Sequence, residues 1–283
     1  MDDRCVSPLA YDNRPIGVFD SGLGGLTVAR SIATSLSHES IYYVGDTKRC
    51  PYGPRSENEV RTFALQAGRW LEAHDVKIIV IACNTATAAA LTVAQQTLDV
   101  PVIGVIAPGA RAAINTTRTR KVGVLATELT VRSGAYTRAI QSLDAGVDVY
   151  GCPAPSFVNI VERELATGAH LQERWLEDGD IFDTPEIRFE VARTLSPIAD
   201  TEVDTVVLGC THYPFVRRQI AEVLGPEVRF FDGGAGTARQ LRARLAEEGL
   251  LSREARPGRV TFASSLDTPE EIALYERFFS IPL

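Results

Sequence analysis

The stretch IIVIACNT, at Ile78–Thr85, is an apolar run that ends in a cysteine followed by two polar residues. The stretch TVVLGCTH, at Thr205–His212, repeats the same arrangement in the second half of the chain. A continuous run of Ile and Val is typical of a strand whose two faces are both covered by helices, as in a parallel sheet. Both cysteines should therefore stand at the carboxyl ends of buried strands, where two thiols can give and take a proton on one small molecule.

The sequence around these runs alternates strand patterns with helix patterns. Ile16–Phe19 predicts a buried strand, followed by the glycine-rich turn Asp20–Gly25 and a helix from about Leu26 to Leu36. Ser56 and Glu59 have the spacing of a capping box, so a helix should run from there to about Ala73. Further strands are predicted at Ile41–Val44, Lys77–Ala82 and Val102–Val105, and a further helix at Thr85–Gln96.

The order of elements starts again in the second half of the chain. Val122–Thr127 parallels Ile16–Ser21, and Thr205–Gly209 parallels Lys77–Ala82, which indicates an ancient duplication. Strands that alternate with helices predict an α/β fold, here with two pseudo-symmetric α/β domains and mainly parallel sheets. Ligands bind beyond the carboxyl ends of such strands, so the active site is expected in the cleft between the domains.

Composition and charge narrow the class of protein. The chain has 283 residues, of which 45% are hydrophobic and 23% charged, which is enough for a substantial core. The net charge is −7 and the basic residues are scattered, so neither nucleic acid nor an anionic membrane is expected as a partner. No apolar run approaches the roughly 18 to 20 residues that span a bilayer, and the first residues do not resemble a signal peptide. We therefore expect a cytoplasmic protein.

The cysteines and histidines indicate free thiols and no metal. The five cysteines are an odd number without a CxxC pair, in a chain too large to need disulfides. Structural zinc is disfavoured because the histidines, except His212 near Cys210, stand far from any cysteine. The remaining cysteines lack the setting of Cys83 and Cys210 and are taken as incidental, although Cys50 could line the entrance to the site. The cysteines taken as incidental are Cys5, Cys50 and Cys152, and the histidines that stand far from any cysteine are His38, His74 and His170.

Cys83 and Cys210 each have a structural alternative, since free cysteine often behaves as a small buried hydrophobe. Two matched positions favour a chemical role. Backbone N–H groups where a strand gives way to a helix should lower the pKa of both thiols from about 8.5 toward neutrality. The glycine-rich turn after Phe19 offers further N–H groups that attract an anion, whereas Asp20 itself repels anions and could accept a proton or bind an ammonium group.

Uncharged donors and one titratable ring lie directly beside the two thiols. Asn84, Thr85 and Thr211 could hold the carboxylates and the ammonium group of a substrate, or could cap the following helices. His212 could tune the protonation of Cys210, although a lone histidine is often a core residue.

Four ordered motifs resemble the cofactor-independent aspartate/glutamate racemase superfamily, and within it the glutamate racemases. They are Asp20-Ser21-Gly22 with Gly24-Gly25, Val44–Thr47 followed by Pro51-Tyr52-Gly53, Ala82–Ala86, and Gly209–Pro214. The resemblance runs from about Pro15 to Arg244, and Thr261–Phe279 is similar to the closing strand and helix of the family. One departure is Asp232–Gly236, which stands where the family usually has a serine-containing stretch.

The resemblance implies interconversion of L- and D-glutamate without pyridoxal phosphate, metal or nucleotide, which supplies D-glutamate for peptidoglycan. Cys83 would deprotonate the D-enantiomer and Cys210 the L-enantiomer. Asp20, Glu162 and His212 match residues that assist the thiols. The pairs that match substrate-binding residues are Asp20-Ser21, Tyr52-Gly53, Asn84-Thr85 and Thr211-His212.

The family also implies a domain division. We expect an N-terminal tail at 1–14, a first domain at 15–99 plus 232–283, and a second domain at 100–231. A homodimer is possible. Three alternatives remain: an aspartate racemase, which tends to carry glutamate where this chain has His212; a non-catalytic ligand-binding regulator; and a thiol redox protein with a reversible Cys83–Cys210 disulfide.

Overall fold

The computed structural model describes residues 11–166 and 181–280. Cys5, His170 and most of the predicted N-terminal tail lie outside these ranges. The described chain forms two sheets in which every strand pair is parallel, with helices around them, so the predicted α/β class is confirmed. None of the described helices is both long and apolar enough to cross a membrane.

The first sheet has five strands in the order β4-β3-β1-β2-β9. Its central strands are fully buried and, apart from Asp20 at the end of β1, consist of apolar residues and glycine, as the Ile- and Val-rich sequence predicts for strands covered on both faces. β9, near the end of the chain, pairs with β2 and so returns to this sheet. The strands are β1 (Ile16–Asp20), β2 (Ile41–Gly45), β3 (Ile78–Ile81), β4 (Val102–Gly104) and β9 (Val260–Ser264).

The second sheet has four strands in the order β6-β5-β7-β8. Read from the other edge, this order repeats β4-β3-β1-β2 of the first sheet, with β5 in the place of β1 and β7 in the place of β3. The shared topology agrees with an internal duplication. The strands are β5 (Lys121–Ala126), β6 (Asp148–Pro153), β7 (Thr205–Gly209) and β8 (Arg229–Phe231).

The three helices predicted between residues 26 and 97 begin and end within about two residues of their predicted bounds. The capping box at the start of the second helix is present, with Ser56 and Glu59 bonded to each other's backbone N–H groups. The third helix begins at Asn84, one residue earlier than predicted, and Cys83 is its N-cap. The helices are α1 (Leu26–Ser35), α2 (Glu57–Ala73), α3 (Asn84–Thr97), α4 (Ile106–Ile114), α5 (Glu128–Ser133), α6 (Ala135–Leu143), α7 (Pro155–Ala166), α8 (Pro185–Ala199), α9 (Arg217–Leu224), α10 (Gly234–Glu247) and α11 (Pro269–Ser280).

The end of the chain packs against the first sheet. The ring of Tyr275 on α11 lies edge-on to Tyr43 of β2, and α10 packs against α1. At the start of α10, the carboxylate of Asp232 accepts a hydrogen bond from the Gly234 N–H at 2.8 Å. The predicted domain boundaries stay a prediction, although these contacts agree with the assignment of 232–283 to the first domain.

Candidate active site

The two predicted cysteines line one cavity at the carboxyl ends of the central strands. Cys83 follows β3 and Cys210 follows β7, and the two residues are 5% and 7% exposed. Both sheets contribute to the walls, because Ser21 follows β1 and Thr127 follows β5. The cavity is lined by Ser21, Cys50, Pro51, Tyr52, Gly53, Cys83, Asn84, Thr85, Thr127, Val158, Cys210, Thr211 and His212.

The cavity is narrow. Its volume is about 20 Å³, which is room for about one water molecule. Sites for small organic ligands typically have roughly 300 to 1,000 Å³. The space between the walls is therefore smaller than such a ligand requires.

The surroundings of Cys83 favour its protonated form. Its Sγ accepts the N–H of Ala86 at 3.4 Å and lies 3.8 Å from the Oγ of Ser21. Burial, and next the negative charge of Asp20, raise the pKa of Cys83 to about 12. The predicted fall of this pKa toward neutrality is therefore wrong, because one N–H donor does not compensate for the loss of solvent and a nearby carboxylate.

Asp20 is a fully buried carboxylate at the end of β1. Its Oδ2 accepts the Gly22 N–H at 3.0 Å, and its Oδ1 has no hydrogen-bond partner among the described residues. Burial raises its pKa to about 6, against a lowering effect of the charge on His212. The N–H of Gly22 is thus bonded to Asp20 itself, so this donor of the turn is not available to an outside anion.

Cys210 faces a charged pair. Its Sγ lies 3.7 Å from Nδ1 of His212, and Nε2 of the same ring lies 2.6 Å from Oε1 of Glu162 on α7. Burial alone would lower the pKa of His212, but hydrogen bonds to Cys210 and Glu162 raise it well above its usual value. The pKa of Glu162 is lowered, because the bond to His212 outweighs burial. The structure therefore brings all three sequence-predicted residues together.

The two cysteines differ in the backbone that follows them. Cys83 caps an α-helix, as the strand-to-helix pattern predicts. Cys210 is followed instead by a 3-10 turn at Tyr213–Val216 that precedes α9. The alternative that Asn84 is a helix cap is also wrong, since it is the first residue of α3 and its Oδ1 accepts the hydroxyl of Tyr136 at 2.7 Å.

Several residues at the site were not predicted from the sequence. The hydroxyl of Thr85 lies 2.9 Å from that of Thr127, which is also 2.9 Å from the hydroxyl of Thr130. Thr127 had a signal, because the duplication aligns it with Ser21. Tyr136 and Thr130 had none, since they lie on helices without a distinctive motif.

Tyr52 and Gly53, two further predicted residues, also line the cavity. The buried Tyr52 donates its hydroxyl hydrogen bond to Asp46. A side chain at Gly53 would lie 3.1 Å from the Cβ of Thr127, and one at Gly24 would lie 2.4 Å from Oγ1 of Thr211. These two glycines therefore allow the walls to approach each other closely.

A second and larger cavity lies away from the thiols. It is lined mainly by residues of α4 and α10, and it contains none of the predicted site residues. Across residues 11–166 and 181–280, no group of three or more His, Cys, Asp and Glu side chains is arranged to hold a metal ion.

Comparison with known proteins shows the family to which this chain belongs. A family model described as Asp/Glu/Hydantoin racemase matches residues 16–241, and the chain belongs to this family. The chain is 45% identical over 240 residues to the glutamate racemase of Exiguobacterium sibiricum, an alignment that covers 85% of this chain and 83% of that protein.

Solved structures of glutamate racemases share the fold over nearly the whole chain. An isoform from Bacillus anthracis superimposes with a TM-score of 0.84 at 36% identity and covers 96% of both chains. The enzyme of Francisella tularensis, solved in complex with D-glutamate, has a TM-score of 0.81 at 33% identity and covers 96% of this chain and 95% of its own.

Proposed function

We propose that this protein is an isomerase that interconverts L- and D-glutamate by proton transfer between two thiols. The similarity to glutamate racemases over most of the chain supports the substrate. The observation that carries the mechanism is the presence of Cys83 and Cys210 on the wall of one cavity, each at the end of an equivalent strand.

The electrostatic difference between the two sulfurs supports a division of labour. Cys83 is held as a thiol, ready to give a proton, by burial and by Asp20. The protonated ring of His212 can donate a hydrogen bond to a thiolate at Cys210, so that Cys210 would remove the α-proton of L-glutamate. Cys83 would then protonate the opposite face, and the reverse reaction would exchange the roles.

The α-proton of an amino acid is far less acidic than a thiol, so the site must stabilise negative charge that develops on the substrate. Fixed donors in a cavity that excludes water do this best. We propose that Ser21, Asn84, Thr85 and Thr211 donate to the two carboxylates, and that Asp20 faces the ammonium group. Tyr52, Gly53 and His212 would complete the binding surface.

We also propose the biological setting that the family implies. Interconversion of glutamate would supply the D-enantiomer for peptidoglycan, and the protein would act in the cytoplasm. A homodimer stays a prediction.

The direct experiment incubates the purified protein with L-glutamate in heavy water, without added pyridoxal phosphate. We expect both enantiomers in equal amounts at equilibrium, with deuterium at the α-carbon of the newly formed D-glutamate. L-aspartate serves as the matched control and should react at least about a hundredfold more slowly. Faster reaction of aspartate would favour the aspartate racemase alternative, and binding of glutamate without α-proton exchange would favour a regulator.

A redox role predicts a different outcome. Titration with oxidised and reduced dithiothreitol would then give a reversible Cys83–Cys210 disulfide. We expect racemisation to persist in excess reductant, because the proposed reaction needs both sulfurs reduced.

A further inference from the structure

The side chain of Tyr52 is bonded inside the protein, although Tyr52 lines the cavity together with Gly53. Its hydroxyl donates a hydrogen bond to Asp46, a residue that is 2% exposed and is not part of the cavity wall. Its ring packs against the rings of Phe19 and Phe63, whose centroids lie 6.3 and 5.7 Å from its own. The hydroxyl hydrogen therefore already has an acceptor and is not available to a ligand.

The main chain of the same loop has two free donors. Within residues 11–166 and 181–280, neither the N–H of Tyr52 nor that of Gly53 has a hydrogen-bond acceptor. Successive backbone N–H groups that are held in place bind anions well, because they need not reorganise when the charge arrives. A carboxylate of glutamate in this cavity would supply an acceptor for both. How well the two donors meet it depends on where the loop is held.

Asp46 holds this loop at its beginning. It directly follows β2, and its Oδ2 accepts the hydroxyl of Tyr52 and lies 2.6 Å from Nε of Arg49. The guanidinium of Arg49 lies 4.2 Å from the ring centroid of Phe63 and donates to Oε1 of Gln66 at 2.6 Å. Because a buried carboxylate is costly unless it is paired, Arg49 fixes the group that accepts the Tyr52 hydroxyl. The loop is thus held between the end of β2 and the side chains of α2.

We propose that Asp46 and Arg49 are positioning residues that hold the side chain of Tyr52, and through it place the N–H groups of Tyr52 and Gly53 to bind a carboxylate of glutamate. This proposal rests on the proposed racemase function. Burial, and next the hydrogen bond to Asp46, raise the pKa of Tyr52 far above its usual value, so its hydroxyl remains a donor. A carboxylate keeps its charge while the α-proton moves, so these donors act on binding and should control KM rather than kcat.

The hydroxyl and its acceptor can be removed separately and together. Tyr52→Phe removes the hydroxyl alone, and Asp46→Leu replaces the acceptor by an apolar side chain of similar size. A hydrogen bond to a charged group is stronger than a neutral one, so each variant should raise KM for L-glutamate about tenfold, whereas kcat should change by less than about twofold. The double variant should raise KM little further, because both substitutions remove the same contact.

Two further variants separate the hydrogen bond from the ion pair. Asp46→Asn keeps an acceptor for the Tyr52 hydroxyl, so its KM should lie closer to that of the unaltered protein than the KM of Asp46→Leu does. Arg49→Met keeps the length of the side chain but not its charge, and it should raise KM about threefold. Lys121→Gln is the matched control, since it removes an ion pair with the exposed Glu202 at the start of β5 and should leave both constants unchanged.

The positioning role is overturned if Tyr52→Phe or Arg49→Met keeps the KM of the unaltered protein, or if Tyr52→Phe lowers kcat at constant KM. It is also overturned if the effects of Tyr52→Phe and Asp46→Leu multiply to about a hundredfold, which would show that the two groups act independently, or if Asp46→Asn performs no better than Asp46→Leu. The result with Tyr52→Phe can be obtained even if Asp46→Leu does not fold. Absence of racemisation in the unaltered protein would instead overturn the proposed function.

Discussion

The half of the molecule around Cys83 and the half around Cys210 share a strand order but not an electrostatic environment. Each sulfur follows the strand next to the first strand of its repeat, β3 in one half and β7 in the other. Cys83 faces the carboxylate of Asp20, whereas Cys210 faces the protonated ring of His212. Duplication thus explains where the sulfurs lie, and residues that differ between the two repeats, Asp20 against Ala126 and His212 against Thr85, give the sulfurs different electrostatic surroundings.

The largest effect should follow removal of either sulfur. Cys83→Ala and Cys210→Ala should each lower the rate of racemisation by about 10²- to 10⁴-fold or more, since each removes one proton-transfer group. Cys152→Ala is the matched control. Cys152 is also buried, but its sulfur contacts the backbone carbonyl of Thr194 and not the cavity. Polarimetry measures the rate of racemisation. Full activity of Cys83→Ala or of Cys210→Ala would contradict the proposal that each half of the molecule supplies one catalytic thiol.

Glu162→Gln should give the second largest effect, about a hundredfold loss of racemisation. The amide keeps the shape of the side chain but removes the charge that raises the pKa of His212. If the reaction needs the protonated ring beside Cys210, activity is lost as the pH rises through the pKa of His212. This loss should occur at lower pH in the variant. A pH–rate profile that is unchanged on its alkaline side would show that the charged pair does not control Cys210.

The same pair should affect stability with a defined sign. The pKa of His212 is raised in the folded protein from its usual 6.5. Its contribution to the free energy of unfolding is therefore fully present below pH 6.5 and is lost as the pH rises through the raised value. Urea unfolding of Glu162→Gln should show a deficit at pH 6 that shrinks at high pH, and a deficit that grows with pH would contradict this sign.

On the Cys83 side, Asp20→Asn should weaken activity about tenfold and stabilise the fold. A pKa of about 6 for this buried carboxyl means that ionisation in the folded state is unfavourable. The contribution of Asp20 to the free energy of unfolding is therefore fully present below about pH 3.8 and is lost as the pH rises through about 6. At pH 7 the variant should gain about 3 kcal/mol in the free energy of unfolding, and this gain should disappear at acid pH. If the variant is instead less stable at pH 7, interactions of the ionised Asp20 carboxylate in the folded protein outweigh the free-energy cost of burying it.

The smallest effect is expected at a contact between the halves. Tyr136→Phe removes only the hydroxyl that donates to Oδ1 of Asn84 at 2.7 Å. Loss of one neutral hydrogen bond costs about 1 kcal/mol, so KM for glutamate should rise about fivefold with little change in kcat. Tyr150→Phe, which alters a partly exposed tyrosine on β6, is the control. A fall in kcat with constant KM would assign Asn84 to the transition state rather than to binding.

The sequence predicted the fold well because its strands are short, uninterrupted apolar runs and its turns contain glycine. Apolar runs such as Ile78–Ile81 and Thr205–Gly209 fit strands of a parallel sheet that is covered on both faces, and they fit few other arrangements. The duplication further predicted that equivalent strand ends meet. The resemblance to a known family was needed for Glu162, because it lies on α7 in an unremarkable segment and reaches His212 only through the folded structure.

Two features could not be predicted from the sequence. The pKa of Cys83 depends on how completely the site excludes water, and the pattern of a strand followed by a helix does not contain that information. The contacts of Tyr136 and Thr130 depend on the placement of the second sheet against the first, which local patterns do not determine. In both cases the result depends on contacts between residues that are far apart in the sequence, and local sequence patterns do not contain this information.

The account is tested most directly by the stereochemistry of α-proton exchange in the two single-cysteine variants. In heavy water, Cys210→Ala retains only Cys83 and should introduce deuterium into D-glutamate but not into L-glutamate. Cys83→Ala should show the opposite preference, and neither variant should racemise its substrate at an appreciable rate. Exchange of both enantiomers by one variant, or the same preference in both variants, would contradict the assignment of one sulfur to each face of the α-carbon.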